Sequence, residues 1–423
     1  MNIIAILVII LFAIFGTPLF LVFGSLTLIL YFFADLPFQG MFVELYQMAS
    51  FPTLLAIPLF TFAGYLLAKS NTPRRIIDLS SALLGWLPGG LAIIALFACA
   101  FFTAFTGASG VTIIALGGLL YPILIKEKYS EKFTQGLLTS SGSLGLLFPP
   151  SLAIILYGMV AKTDIDNLFL AGMLPGFLLI IMLSLYSIFK NKKILKRTPF
   201  SLRKLLKAVR ASAWEIPMPF IILIGIYGGY VTAEEAAAVL AFYVLVIEVF
   251  IYKDLSLFRD VPKIMIESMV LVGSILLILG LALSFTSYLT DEEVPARILE
   301  LMQTFITSKV MFLVVLNIFL LIVGFLMDIF SAIFVVVPLI LPIAVSYGID
   351  PVHLGIIFLT NLEIGYSTPP VGLNLFIASF RFEQPVIKLY KAAVPFLVIL
   401  VIALLIITYV PELSLLLVRI FGR

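Results

Sequence analysis

The sequence predicts an all-α polytopic membrane protein, built as an inverted repeat with two re-entrant hairpins, two broken helices and about nine full spans. Three observations carry this reading. The chain has 423 residues, of which 62% are hydrophobic and 12% charged, with a mean hydropathy of +1.22. A soluble domain carries about twice that charged fraction. The second observation is a motif, Gly-x-x-x-Pro-Pro, that occurs at Gly145–Pro150 and again at Gly365–Pro370, both times inside a long apolar run. A proline pair deletes backbone donors and breaks a helix. At membrane depth such a break persists only where protein or a polar cavity surrounds it. The third observation is the spacing. The two copies lie 365 − 145 = 220 residues apart, and Pro122 with Pro342 and Pro175 with Pro395 share that offset. Chance alone would give roughly one such coincidence at a given offset.

Taken in order, residues 3–33 form a first span. They lack a basic leader and a small-residue cleavage site, so they read as retained. Residues 35–50 are mixed and lie at the interface. Residues 51–69 form a second span, and 70–87, with Arg74, Arg75 and Asp78, a second interfacial helix. The run 88–125 is interrupted by Thr106-Gly107-Ala108-Ser109-Gly110, which reads as a hairpin of two half-length helices; one kinked span is the alternative. The broken run 133–161 and a span at 167–189 complete a first repeat, 1–189. Residues 190–212 form a linker, and 190–210 hold nine Lys/Arg and no acid, which places them in the cytoplasm. The second repeat, 213–423, opens with an extra span at 213–230. It continues through 233–252, a basic stretch to Lys263, a span at 266–288 and acidic 291–300. A hairpin at 309–343, interrupted near Gly324 and Asp328, precedes the broken run 352–380 and a last span at 390–410.

The extra span turns the second copy upside down in the membrane. With the linker inside, only Lys162, Arg297, Lys309, Arg419 and Arg423 fall outside, so 26 − 5 = 21 basic residues are cytoplasmic. The N-terminus is then cytoplasmic and the C-terminus periplasmic.

Composition also excludes. The only cysteine is Cys99 and the only histidine His353. One of each cannot build a zinc, haem or iron–sulfur site, and Cys99 reads as a buried bystander. A net charge of +3 does not point to nucleic acid. An intramembrane enzyme needs clustered carboxylates or a metal motif at depth, and neither is present in the sequence.

The stretch 107–158, with GASGVTIIALGGLLYP and SGSLGLLFPP, resembles the large membrane subunit of tripartite ATP-independent periplasmic (TRAP) transporters, the DctM family. So do IPLFTFAG (57–64), GGYVTAEEAAAV (228–239) and GIDPVHLGIIFLTNLEIGYSTPPVGLNLFIAS (348–379). The resemblance implies sodium-coupled import of an organic acid across the bacterial inner membrane by an elevator mechanism. It implies two partners: a small four-helix membrane subunit of the DctQ type and a periplasmic solute-binding protein of the DctP type. No small subunit is fused at either end of the sequence, so that partner is expected as a separate polypeptide. A stand-alone sodium–dicarboxylate symporter is the alternative. C4-dicarboxylates, sialic acid and other sugar acids are all compatible substrates.

Under this resemblance the broken helices offer oxygen ligands for sodium. The first half supplies Thr106, Gly107, Ser109, Ser140, Ser141, Ser143 and Gly145. The second supplies Asn361, Gly365 and Thr368, with Glu363 left ambiguous. Small residues that merely allow close helix packing would look the same. Asp328, alone in an apolar run, is a candidate for the substrate site, either neutralising a cation or shaping the anion site; a position near a water-filled mouth is the other reading. The broken regions hold no Lys or Arg, so the anion would rest on half-helix N-termini after Pro150 and Pro370, on hydroxyls, on Asn374 and on sodium itself. His353 reads as interfacial. The basic linker is a topology determinant or a site for phospholipid headgroups.

Overall fold

The computed structural model describes residues 17, 19–86, 89–192, 201–369 and 371–422. The start of the expected first span, residues 193–200 of the linker, Arg423 and the substrate-site candidate Pro370 lie outside the described residues. In the first half α1 (Leu19–Phe33) leads to α2 (Gln39–Ala49), a tight turn at Pro52–Leu55, α3 (Ala56–Lys69) and α4 (Thr72–Leu84). Then come α5 (Gly90–Thr106), α6 (Ser109–Lys126), α7 (Glu131–Ser141), α8 (Leu152–Ala161) and α9 (Ile165–Lys190). The second half holds α10 (Leu202–Ala211), α11 (Pro217–Tyr227), α12 (Ala233–Val246), α13 (Val261–Asp291) and α14 (Val294–Phe305). It closes with α15 (Lys309–Leu326), α16 (Ile329–Ser346), α17 (Pro351–Gly365), α18 (Leu373–Phe382), α19 (Val386–Tyr409) and α20 (Glu412–Phe421).

Local chemistry sets the boundaries. Ser130 caps α7 by accepting from the Phe133 amide. Thr232 and Glu235 close a reciprocal capping box on α12. The α5–α6 turn is two residues long. Gly107 takes a left-handed φ of +65° and Ala108 is extended, a bend that glycine makes at low cost. α15 and α16 are likewise joined through two residues, Met327 and Asp328. α7 with its following turn meets α8 at a 46° bend, and the Pro149–Pro150 bond is cis. α6 and α16 start 329 − 109 = 220 and end 346 − 126 = 220 residues apart.

Among the described residues, six helices (α6, α9, α13, α15, α16, α19) are long and apolar enough to cross a membrane, or seven if the bent pair α7–α8 is one span. That is fewer than the nine expected. α3 and α11 run for only 14 and 11 residues, short of the roughly 20 that a crossing needs. α11 ends at Gly228-Gly229, and α12 widens at Ile247–Ile251. The arms of the second hairpin, α15 and α16, have 18 residues each.

One side of the molecule is α3 packed on α12 and α13, with α13 also against α1 and α2. The other side joins the two halves: α7 lies on α19, α9 on α17, α8 on α16 and α18 on α6. A charge cluster fastens α4 to the first side. The largely buried Arg75 binds Glu215, Asp254 at 2.6 Å and Glu248 at 3.0 Å, and lies 3.8 Å over the Tyr252 ring. Burial works against the Arg75 charge, but Asp254, Glu215 and Glu248 hold its pKa above the ordinary arginine value.

Candidate functional site

The two breaks meet. The Ser143 hydroxyl donates to the Glu363 carbonyl at 3.4 Å, and the Asn374 side-chain amide donates to Ser143 Oγ at 3.4 Å. Each break also presses on the first helix of its own hairpin. A Cβ on Gly145 would lie 2.2 Å from the Ala100 carbonyl oxygen and 2.4 Å from the Ala104 nitrogen. A Cβ on Gly365 would lie 2.5 Å from the Gly324 backbone. Both glycines therefore serve close backbone approach, as the packing alternative requires.

The first-half candidates gather in one neighbourhood. Gly107 sits against Leu152 at the start of α8, and Gly142 against Ile113 and the Ser109 carbonyl. Thr103 on α5 shares a 2.6 Å hydrogen bond with Thr112 on α6 and donates to the Gly142 carbonyl at 2.8 Å. Around this latch, the hydroxyls of Thr106, Ser140 and Ser151 are buried without a partner. A buried hydroxyl with no hydrogen bond costs stability. They are oxygen donors of the kind that a monovalent cation such as sodium takes. Ser141 is engaged more locally, donating to the Leu138 carbonyl at 3.4 Å. Cys99 is buried beside it.

The second-half candidates are divided. Asp328 caps α16: it accepts from Phe330 N at 3.0 Å, from Ser331 N at 3.1 Å and from the Ser331 hydroxyl. The next amide, Ile329 N, donates to the Tyr366 hydroxyl, so this tip touches the second break. Asn361 instead points to α15, donating to Asn317 at 2.7 Å, and Asn317 in turn donates to Thr408 on α19 at 3.2 Å. Thr368 donates to the Ile364 carbonyl in its own chain turn and lines an apolar groove with Val398 and Ile402. Glu363 is fully buried, and neither carboxylate oxygen has a partner; the Asn374 side-chain oxygen and the Ser367 hydroxyl are also unpartnered. His353 is packed inside the protein at the end of a helix. It lies in the first turn of α17, buried, with Nε2 3.3 Å from the Thr408 carbonyl.

Sequence reasoning missed several residues of this region. Thr103 and Thr112 sit in apolar runs and gave no pattern. Gly64 on α3 abuts the hairpin tip, where a Cβ would lie 2.2 Å from the Phe105 carbonyl oxygen and 2.7 Å from the Thr106 Cα. Arg381, at the end of α18, donates to the Ile114 carbonyl at 2.8 Å and bridges the two halves. A cleft of about 920 Å³ lies elsewhere, between the α8–α9 and α11–α12 turns, and carries Lys162, Asp164, Asp166, Glu234 and Glu235.

Residues 3–413 match the family described as "Tripartite ATP-independent periplasmic transporter, DctM component". The chain belongs to the DctM family. It is 39% identical, over 93% of its length and 92% of the relative's, to the C4-dicarboxylate TRAP transporter large permease protein DctM of Pseudomonas aeruginosa. It is 37% identical to the isethionate TRAP transporter permease protein DctMQ of Oleidesulfovibrio alaskensis, over 86% of this chain and 57% of that protein. In fold it is similar to the Alcanivorax borkumensis YdaH transporter, with a TM-score of 0.60 at 13% identity, covering 88% of this chain and 87% of that one. As a DctM-type chain it is a multi-pass membrane protein and a transporter permease component. Membership implies a small permease subunit and a periplasmic binding protein as partners.

Proposed function

We propose that this DctM-type chain imports a small organic anion across the bacterial inner membrane, coupled to sodium, after a periplasmic binding protein delivers it. The observation that carries the reading is the pairing of buried, unpartnered hydroxyls (Thr106, Ser140, Ser151) with a helix break, in a membrane protein of this family. Sodium bound there would supply positive charge next to a site whose lining offers none. Thr106 and Ser140 then hold the cation, and the α8 N-terminus, where the Ser151 side chain makes no capping bond, faces the anion. Each ligand favours the other. The relatives' names, a C4-dicarboxylate and isethionate permease, support a compact anion with one or two acidic groups.

In this reading the halves 1–189 and 213–423 are inverted repeats, with the N-terminus inside and the C-terminus outside. The joined body of α5–α9 and α15–α19 moves as an elevator against α1–α4 and α11–α14. The reciprocal packing of α8 on α16 and α18 on α6 supports the repeat, and the bare Gly64 contact gives the two bodies a smooth sliding point.

The test is uptake of labelled organic acids into proteoliposomes holding this chain and its small subunit, with a sodium gradient. Uptake requiring both sodium and the binding protein supports the proposal. Sodium-driven uptake that needs no binding protein would replace it with the stand-alone symporter.

A further inference from the structure

The helix α10 has no role in the transport reading, yet its chemistry is specific. Its sequence, LRKLLKAVRA, has four basic residues, Arg203, Lys204, Lys207 and Arg210, and no acid. All four are exposed, and no described acidic side chain pairs with them. The apolar residues recur at helical spacing as Leu202, Leu205, Leu206 and Val209. In a soluble setting that stripe would face protein. Here Leu202 and Leu206 are each 61% exposed, and only Ala208 is buried.

The second observation is how α10 is held. Ser212, just past its end, donates to the Arg75 carbonyl at 3.2 Å, and Glu215 grips the Arg75 side chain. Asp254, from the α12–α13 loop, binds Arg75 and also Asn71 at 2.8 Å. One arginine therefore pins three segments together, and each carries exposed apolar groups. α10 brings Leu202 and Leu206, with Trp214 (45% exposed) after it. The α12–α13 loop brings Phe258, 90% exposed beside Arg259. The α4 end brings Trp86, 47% exposed.

We infer that these three segments form a platform that seats on acidic lipid headgroups at the bilayer surface, with α10 lying in the interface. Exposed apolar and aromatic groups enter the headgroup boundary while the basic residues meet its negative charge. Uncharged lipid would satisfy the apolar groups alone, and the run of four unpaired cations selects the acidic kind. The platform anchors the α3–α12–α13 side of the molecule. It depends on the chain spanning a bilayer and not on the substrate or the ion, so a failed uptake experiment leaves it standing.

The chain supplies its own reporter, since Trp86 and Trp214 are its only tryptophans. The full chain is placed in phosphatidylcholine nanodiscs containing equal fractions of either brominated phosphatidylglycerol or brominated phosphatidylcholine, and tryptophan quenching is read. The expected result is several-fold stronger quenching by the acidic lipid, weakened by salt. Neutralising Arg203, Lys204, Lys207 and Arg210 to glutamine should abolish the preference. Exchanging each Lys for Arg and each Arg for Lys should preserve it. Equal quenching by the two lipids in the unaltered chain, or a preference that survives all four glutamines, would overturn the inference.

Discussion

Ser143 donates its hydroxyl to the carbonyl of Glu363 at 3.4 Å, and the two residues hold the same place in the two halves, 363 − 143 = 220 residues apart. This bond ties the break in the first half directly to the break in the second.

The break glycines have no room. Gly145→Ala and Gly365→Ala would each force a backbone contact under 2.6 Å. Both are expected to lower the thermal unfolding midpoint in detergent and to abolish uptake. Gly273→Ala, with nothing within 4 Å of the added methyl, should be neutral or stabilising by up to about 1 kcal/mol. Equal behaviour of all three would mean that the breaks are not tightly packed.

The unpartnered hydroxyls make a distinct prediction. Thr106→Val and Ser140→Ala remove groups without protein partners. Without sodium they should be at least as stable as the parent, because each loses a buried hydroxyl that has no hydrogen bond. The stabilisation gained on adding sodium, with choline as the control cation, should shrink or vanish. An undiminished sodium shift in both variants would remove these residues from the cation site.

Asp328 separates charge from capping. Asparagine caps a helix about as well as aspartate, whereas alanine costs roughly 1 kcal/mol. Asp328→Asn is expected to melt with the parent and lose most uptake, while Asp328→Ala loses both. Full uptake in the asparagine variant would reduce Asp328 to a helix cap.

Arg75→Gln strands three carboxylates, two of them buried. Breaking a buried pair from one side costs about 3–5 kcal/mol, read as a large fall in melting temperature. Adding Glu248→Gln should recover part of the loss, because it removes one stranded charge. A double variant that falls by the sum of both single losses would contradict the clamp.

What the sequence disclosed follows from where its signals are local. Gly107 and the proline pairs break helices by their own backbone chemistry, so the hairpin tip and the breaks were legible. Interactions assembled from distant segments were not. Arg75 reads as a flank charge until the fold brings Glu215, Glu248 and Asp254 around it. Gly64 looks like any apolar-run glycine because its partner is backbone. Which neighbours Asn361 and Thr368 meet was not legible either, since successive helical positions face different directions: Asn361 donates to Asn317 and Thr368 to the Ile364 carbonyl. His353 follows Asp350-Pro351, a loop signal, yet Pro351 begins a helix that buries it. Among the described residues fewer helices reach crossing length than the apolar runs suggest, because such runs do not reveal where a helix stops.

The contact between Ser143 and Glu363 also bears on ancestry. Had two identical half-length chains once paired as the halves do now, this position would have faced its own copy across the symmetry axis. Only a group that both donates and accepts, such as a hydroxyl meeting a backbone carbonyl, is content in that place. A single chain has no such requirement: serine can stand in one half and glutamate in the other, and a buried carboxylate then occurs once where a symmetric pair would carry it twice.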